Sequence, residues 1–199
     1  MLGGNSANYE TIMRIVAGQH KGRPIIAPKG NATRPTGDRA REAIFNVLAH
    51  AAWAPPLNDA RVIDLFAGSG ALGLEALSRG AEFCLFVETD HAARGAIRTN
   101  IETLNLFGNA RVHRRSAIQL SPRPADIAAP FSLAFIDPPY NKGLIAPCLD
   151  SLIKGNWLSS DAVAMIETAN DETLNLPGWQ LQNERIYGAA KVSFWTHVT

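Results

Sequence analysis

The stretch from Val62 to Ala81, VIDLFAGSGALGLEALSRGA, limits this chain's fold more than any other. Val62-Ile63 is a short apolar run bounded by turn signals. It is too brief for a helix and reads as a buried strand that Asp64 ends. Ala67-Gly68-Ser69-Gly70 is a turn made only of small residues. From Ala71 to Arg79 the apolar residues Leu72, Leu74, Ala76 and Leu77 fall at helical spacing, and Gly80 stops the run. Strand, glycine turn and helix make the opening βα unit of an open α/β sheet, which binds ligands beyond the carboxyl ends of its strands.

Gly68-x-Gly70-x-x-Gly73 fits the dinucleotide fingerprint, a weak indication by itself. The charges around it suit another ligand. Asp64 stands before the glycines, where a carboxylate faces the ligand. Glu88 closes the next apolar run, FCLFVE, and can accept hydrogen bonds from a ribose diol. Between them the only cation is Arg79, at the far end of the helix. A diphosphate would meet a carboxylate without a cationic partner, whereas a ligand carrying an ammonium and a sulfonium is attracted. S-adenosylmethionine has both, and its own carboxylate suits a helix N-terminus. A nicotinamide dinucleotide, or glycines that serve only a tight turn, are the alternatives at this point.

A chain of 199 residues, 46% hydrophobic and 19% charged, suits one α/β domain with a small appendage. No apolar run has the length of a membrane span, and MLGGNSANYET lacks the charged start and apolar core of a secretory signal. Cys84 and Cys148 are in no metal spacing, Cys84 reads as a buried thiol, and the five histidines are scattered. The expectations are no metal, no membrane and a reducing cytoplasm. Net charge is only +1, but seven of the 19 Lys and Arg residues fall between Arg14 and Arg41, with Asp38 the single acid among them. Such a local excess is an electrostatic footprint for a polyanion; a merely solvated basic face is the alternative.

In chain order, residues 1–12 read as a loose tail, 13–57 as a basic extension and 58–199 as the main domain. Arg14 to Ala17 and Arg23 to Ile26, around Gly18 to Gly22, predict a hairpin rimmed by basic residues. After the loop NATRPTG, a helix is expected with Ala43, Ile44, Val47 and Leu48 as its apolar stripe. Arg39 and Arg41 fall off that stripe, free to reach a phosphate together with Arg14, Lys21, Arg23 and Arg34. Further strands are expected at 110–113, 132–136 and 162–166, the last ending at Glu167, with helices at 92–106 and 143–153. Two alternating runs, 179–186 and 191–197, predict a closing antiparallel hairpin. The sum is a mostly parallel sheet with a mixed edge.

Asp137-Pro138-Pro139-Tyr140 follows the strand at 132–136 directly. Two prolines remove two backbone donors and hold the chain extended, which leaves carbonyl oxygens without nearby N–H groups to consume them. A carboxylate and an aromatic ring complete an acceptor-rich pocket with a stacking plate. It suits a planar substrate bearing an exocyclic NH2: Asp137 and the Pro138 carbonyl each accept one N–H, and Tyr140 stacks on the base. A strand-ending turn with a buried tyrosine is the plain alternative.

DLFAGSG, FVETD and DPPY together resemble the amino-methyltransferase class of S-adenosylmethionine-dependent enzymes. MRIVAGQHKGR and RPTGDRAREAIFN narrow the resemblance to the bacterial 16S ribosomal RNA guanine-N2 methyltransferase family of RsmD type, from Met13 to the C-terminus. The resemblance implies a Rossmann-like, seven-stranded class I methyltransferase sheet with a terminal antiparallel hairpin and a small N-terminal hairpin extension. It implies a guanine N2 of small-subunit ribosomal RNA as target, in a ribosomal assembly intermediate, and a monomer. Asp64, Phe66, Ala67, Gly68, Ser69, Gly70 and Thr89 would hold the cofactor, with Glu88 at its ribose and Ser116 and Ala117 near its adenine. Asp137, Pro138, Pro139 and Tyr140 would hold the target base. Ser116 stands where many relatives of the fold carry Asp or Asn. The rival substrates are DNA adenine, another RNA base or a protein glutamine amide, each offering an NH2. An assembly factor without catalysis is the rival of another class.

Overall fold

The computed structural model describes residues 9–28 and 37–198. Seven strands form one sheet: β3 (Arg61–Leu65), β4 (Phe83–Val87), β5 (Ala110–His113), β6 (Phe131–Ile136), β7 (Leu158–Ala169), β8 (Trp179–Tyr187) and β9 (Ala190–His197), in the order β5-β4-β3-β6-β7-β9-β8. The first five are parallel, and β9 lies antiparallel between β7 and β8. The inner strands are apolar along nearly their whole length because both faces of the sheet are covered. One face packs α1 (Asp38–His50), α2 (Ala71–Ser78) and α3 (His91–Thr103) through Phe45, Leu74 and Ile97. The other packs α4 (Ile145–Lys154) through Leu149 and Leu152. The expected fold class is the one observed.

The chain leaves β3 for β4 on one side and returns later to β6 on the other. β3 is thus the point at which strand order reverses, where an open α/β sheet forms its ligand crevice. Two strands run further than expected. Asp64 lies inside β3, followed by Leu65, and β7 continues through Glu167 to Ala169.

A separate antiparallel pair, β1 (Tyr9–Arg14) and β2 (Pro24–Pro28), forms the N-terminal hairpin. β1 begins at Tyr9, so residues 9–12 of the expected tail are strand, paired up to Tyr9 opposite Pro28. Residues 1–8 and the loop with Lys29 and Arg34 lie outside the described residues. The hairpin shares the main core: Met13, Ile15 and Ile25 are buried with Val62, Leu74 and Ile97. Polar contacts fasten it as well. Glu75 of α2, fully buried, accepts the N–H groups of Val16 at 2.7 Å and Ala17 at 2.9 Å. Ser78 accepts from the N–H of His20 and donates to the Ala17 carbonyl. Gly18 has φ of +81°, and a Cβ there would stand 1.9 Å from the Ser78 carbonyl oxygen, so only glycine allows this approach.

Arg41 is corrected by the fold. It is fully buried, not free, because 41, 44, 45 and 48 form the inward face of α1. Its guanidinium donates to the Arg14 carbonyl at 2.6 Å and to Asp38 at 2.9 Å, and stands 3.6 Å from the Glu75 carboxylate.

Candidate active site

The carboxyl end of β3 carries a buried acid. Asp64 Oδ2 accepts the Gly73 N–H at 2.9 Å. Burial lifts its carboxyl to about 8; the Gly73 hydrogen bond pulls the other way and the Glu88 charge adds to the rise. Phe66 follows at φ +60°, a left-handed conformation that a bulky residue rarely adopts, so backbone strain sits where the turn begins. Gly73, the last glycine of the fingerprint, serves packing: a Cβ there would lie 2.4 Å from the Phe86 ring and 2.5 Å from the Cys84 sulfur. Its bareness lets α2 press onto β4.

Glu88 closes the same crevice from the end of β4. Its Oε2 accepts the Gly68 N–H at 2.9 Å and its Oε1 the Asp90 N–H at 2.8 Å, so the acid is tied directly to the glycine turn. The buried Arg94 donates to the carbonyls of Glu88 at 3.2 Å and Thr89 at 2.5 Å, while Asp90 caps α3 through the Ala93 N–H. Asn100, also buried, donates to the Ser69 carbonyl at 3.1 Å. It also exchanges two hydrogen bonds of 3.0 Å with the backbone of Ile26. One side chain therefore joins the glycine turn to the N-terminal hairpin. Ala67 is buried, Phe66 and Ser69 are half-buried and Thr89 is exposed. Beyond β5, Ser116 is half-buried and Ala117 buried.

Arg94, Asn100 and Asp90 were not singled out from the sequence. Asn100 carried a signal, a polar residue among the inward positions Ala93, Ile97, Ile101 and Leu104 of α3. Arg94 had none, because its acceptors are backbone carbonyls.

Asp137 to Tyr140 leave β6, the other neighbour of β3, at the same edge of the sheet. Pro138 is buried, Pro139 exposed, and Asp137 and Tyr140 are half-buried. The Tyr140 hydroxyl donates to Glu167 Oε1 of β7 at 2.6 Å, a contact no local pattern announces. Burial holds the Asp137 carboxyl well above the usual range, and the charges of Glu167 and Asp64 push it further the same way. Four acids, Asp64, Glu88, Asp137 and Glu167, thus gather at this edge of the sheet, close enough that Asp64 feels the charge of Glu88, and Asp137 those of Glu167 and Asp64. Among the described residues no group of His, Cys, Asp or Glu is arranged to hold a metal, and no helix is long and apolar enough to cross a membrane.

The basic residues are spread over the hairpin and the start of α1. Arg14 is exposed and paired with Asp38 at 3.1 Å, Lys21 is exposed on the hairpin loop, and Arg23 donates to the Thr103 carbonyl at 3.0 Å. Arg39 is exposed; Arg41 is withdrawn from the surface.

A family profile described as Conserved hypothetical protein 95 matches residues 13–196. The ribosomal RNA small subunit methyltransferase D of Escherichia coli is 38% identical over 178 residues, which span 88% of this chain and 85% of that protein. The Haemophilus influenzae protein of the same name is 34% identical over 91% of this chain and 92% of its own length. The solved structure of the Escherichia coli protein yhhF superposes with a TM-score of 0.77 at 35% identity, covering 94% of this chain and 98% of that one. With the fold and these relatives in agreement, the chain is a methyltransferase and belongs to the family that holds the ribosomal RNA small subunit methyltransferase D proteins.

Proposed function

We propose that this protein transfers a methyl group from S-adenosylmethionine to the exocyclic N2 of a guanine in small-subunit ribosomal RNA. One observation carries the reading: β3 pairs with both β4 and β6, so the glycine turn, Glu88 and the Asp137–Tyr140 segment open on one edge of the sheet. Donor and acceptor subsites are then neighbours. The names of the relatives support ribosomal RNA as the substrate.

The residues fit the donor. Asp64 is an acid whose ionised form burial disfavours, and a cation beside it, as an amino acid ammonium provides, would offset that cost. The Glu88 oxygens accept backbone N–H groups and keep lone pairs for a ribose diol. The bound donor supplies a sulfonium-activated methyl group. Asp137 and the Pro138 carbonyl orient the base by accepting its N–H groups, and the Tyr140 ring stacks on its face. As N2 gains the methyl group it becomes cationic, and Asp137 stabilises that charge and takes the proton. Proximity and electrostatics do the rest. In the same reading, residues 13–57 are the part of the single body that contacts RNA, through Arg14, Lys21, Arg23, Arg34 and Arg39. Residues 58–199 carry catalysis.

The test is to incubate the protein with methyl-labelled S-adenosylmethionine and small-subunit ribosomal RNA, both naked and in protein-bound particles, and to map the label. Label on one guanine N2 is expected; label on adenine or on DNA overturns the reading. Glu88→Ala should weaken donor binding about tenfold or more, the loss of charge-assisted hydrogen bonds; unchanged affinity by calorimetry counts against the ribose assignment. Changing Arg14, Lys21 and Arg23 together to glutamine should reduce the salt slope of RNA binding by about 2. An unaltered slope would place the RNA elsewhere.

A further inference from the structure

We propose that Glu167 is a positioning residue of the target-base pocket, which holds the Tyr140 ring in its stacking orientation through the ring's hydroxyl. The proposal rests on the base pocket argued above. Ile136 of β6 lies opposite Ile166 of β7, so the next residues, Asp137 and Glu167, lie side by side and on the same face. Asp64 of β3 lies opposite Phe135, one row further down that face. Acids on three neighbouring strands therefore end one face of the sheet at the crevice.

Glu167 is only 3% exposed and continues an apolar run from Ala162 to Ile166. A carboxylate there costs stability unless it is hydrogen-bonded, and packing alone would be served better by another apolar side chain. Its bond to the Tyr140 hydroxyl, at 2.6 Å, is in the range of a charge-assisted O–H···O⁻ contact. The ring needs such a tether. Behind it stand two prolines, but ahead of it Asn141 and Gly143 have φ of +56° and +63°, a turn with little packing of its own. The loop is also fastened by the Asn141 N–H, which donates to Glu172 at 3.3 Å. Stacking on a base requires a fixed ring plane, and Glu167 fixes the end of the ring furthest from the backbone.

The same carboxylate also faces Asp137 from β7, as Asp64 does from β3 and Tyr140 does from the adjoining loop. Its charge raises the Asp137 carboxyl. Replacing it by an amide should therefore lower the pH at which Asp137 ionises, an effect a purely structural role would not produce.

The experiment measures kcat, KM for RNA and donor affinity in Glu167→Gln, Tyr140→Phe and the double variant. Each single variant should lose about tenfold in kcat/KM, the double no more than the worse single, and donor affinity should stay unchanged. The acid limb of the pH profile should move to lower pH in Glu167→Gln and stay in place in Tyr140→Phe. Additive losses, full activity in Glu167→Gln or an unmoved acid limb overturn the proposal. If Glu167→Gln does not fold, Tyr140→Phe decides alone, and undiminished kcat/KM there overturns it. A wild-type protein that leaves ribosomal RNA unlabelled overturns the underlying reading instead, a result distinct from an active wild type with an additive cycle.

Discussion

Asp137→Ala should abolish methyl transfer while leaving binding of the methyl donor within about threefold of the wild-type value. In the proposed site Asp137, which follows β6, would face the amine, whereas the donor would lie against residues of β3, β4 and the glycine turn that α2 and α3 brace. Loss of a positioned proton acceptor costs on the order of 10²–10⁴ in rate. Asp137→Asn retains one acceptor oxygen without the charge and should fall between the two. Single-turnover transfer and calorimetric donor binding separate the effects; rapid transfer by the alanine variant would sink the assigned role. The pH dependence has a definite sign. The ionised carboxylate is the acting form and its pKa is raised, chiefly by burial, so turnover should decline as pH falls through that raised value. Stability runs the other way. A carboxyl that holds its proton more tightly when folded than when unfolded destabilises the fold as pH rises from the usual carboxylate range to the raised value. The alanine variant, relieved of that burden, should be inactive yet more resistant to urea at neutral pH than the wild type. Such an exchange of stability for activity is common where acids are buried for chemistry.

Local patterns made the two segments of the candidate site legible as structure. The strand, glycine turn and helix at Val62–Ala81 are set by residues close in sequence. The prolines after Asp137 announce an acceptor-rich turn without reference to anything distant. Contacts between strands that only the topology brings together could not be read. Tyr140 meets Glu167 because β6 pairs with β7, and nothing within either segment says so. Arg41 failed for a related reason. Hydrophobic periodicity sends a charged residue outward by default, and its partner Glu75 lies on another helix with β3 between them. The N-terminal hairpin shows both sides. That a hairpin forms about the glycine loop, and its second arm, were readable. Its first arm is Tyr9–Arg14, not Arg14 to Ala17, because residues 15–17 leave the strand and Val16 and Ala17 meet Glu75 and Ser78. Its dependence on α2 and α3 was not readable. Gly18 has the local pattern of an ordinary turn glycine, and only the fold brings Ser78 against it.

Glu75→Ala should be the most destabilising single change at an ionisable residue. The carboxylate is 0% exposed and serves two backbone N–H groups of the hairpin, the Arg79 guanidinium at 2.7 Å and the Arg41 guanidinium at 3.6 Å. Truncation leaves a buried cation facing an emptied acceptor site, a change that costs about 3–5 kcal/mol. Domains are stable by only about 5–15 kcal/mol. At about 2–4 °C per kcal/mol for a chain of this size, the melting temperature should drop by roughly 10 °C. Glu42→Ala, exposed on α1, should stay within about 0.5 kcal/mol of the wild type and controls for loss of an acid as such. Glu75→Gln keeps the volume but replaces one acceptor oxygen by a donor aimed at donors, so it should recover only part of the loss. Because the carboxylate fastens the hairpin to the helix that begins directly after the glycine turn, RNA affinity should fall more than donor affinity in any variant that still folds. A melting temperature within about 2 °C of wild type would show that the hairpin is held by its apolar residues alone, with the buried ions contributing nothing to its seat.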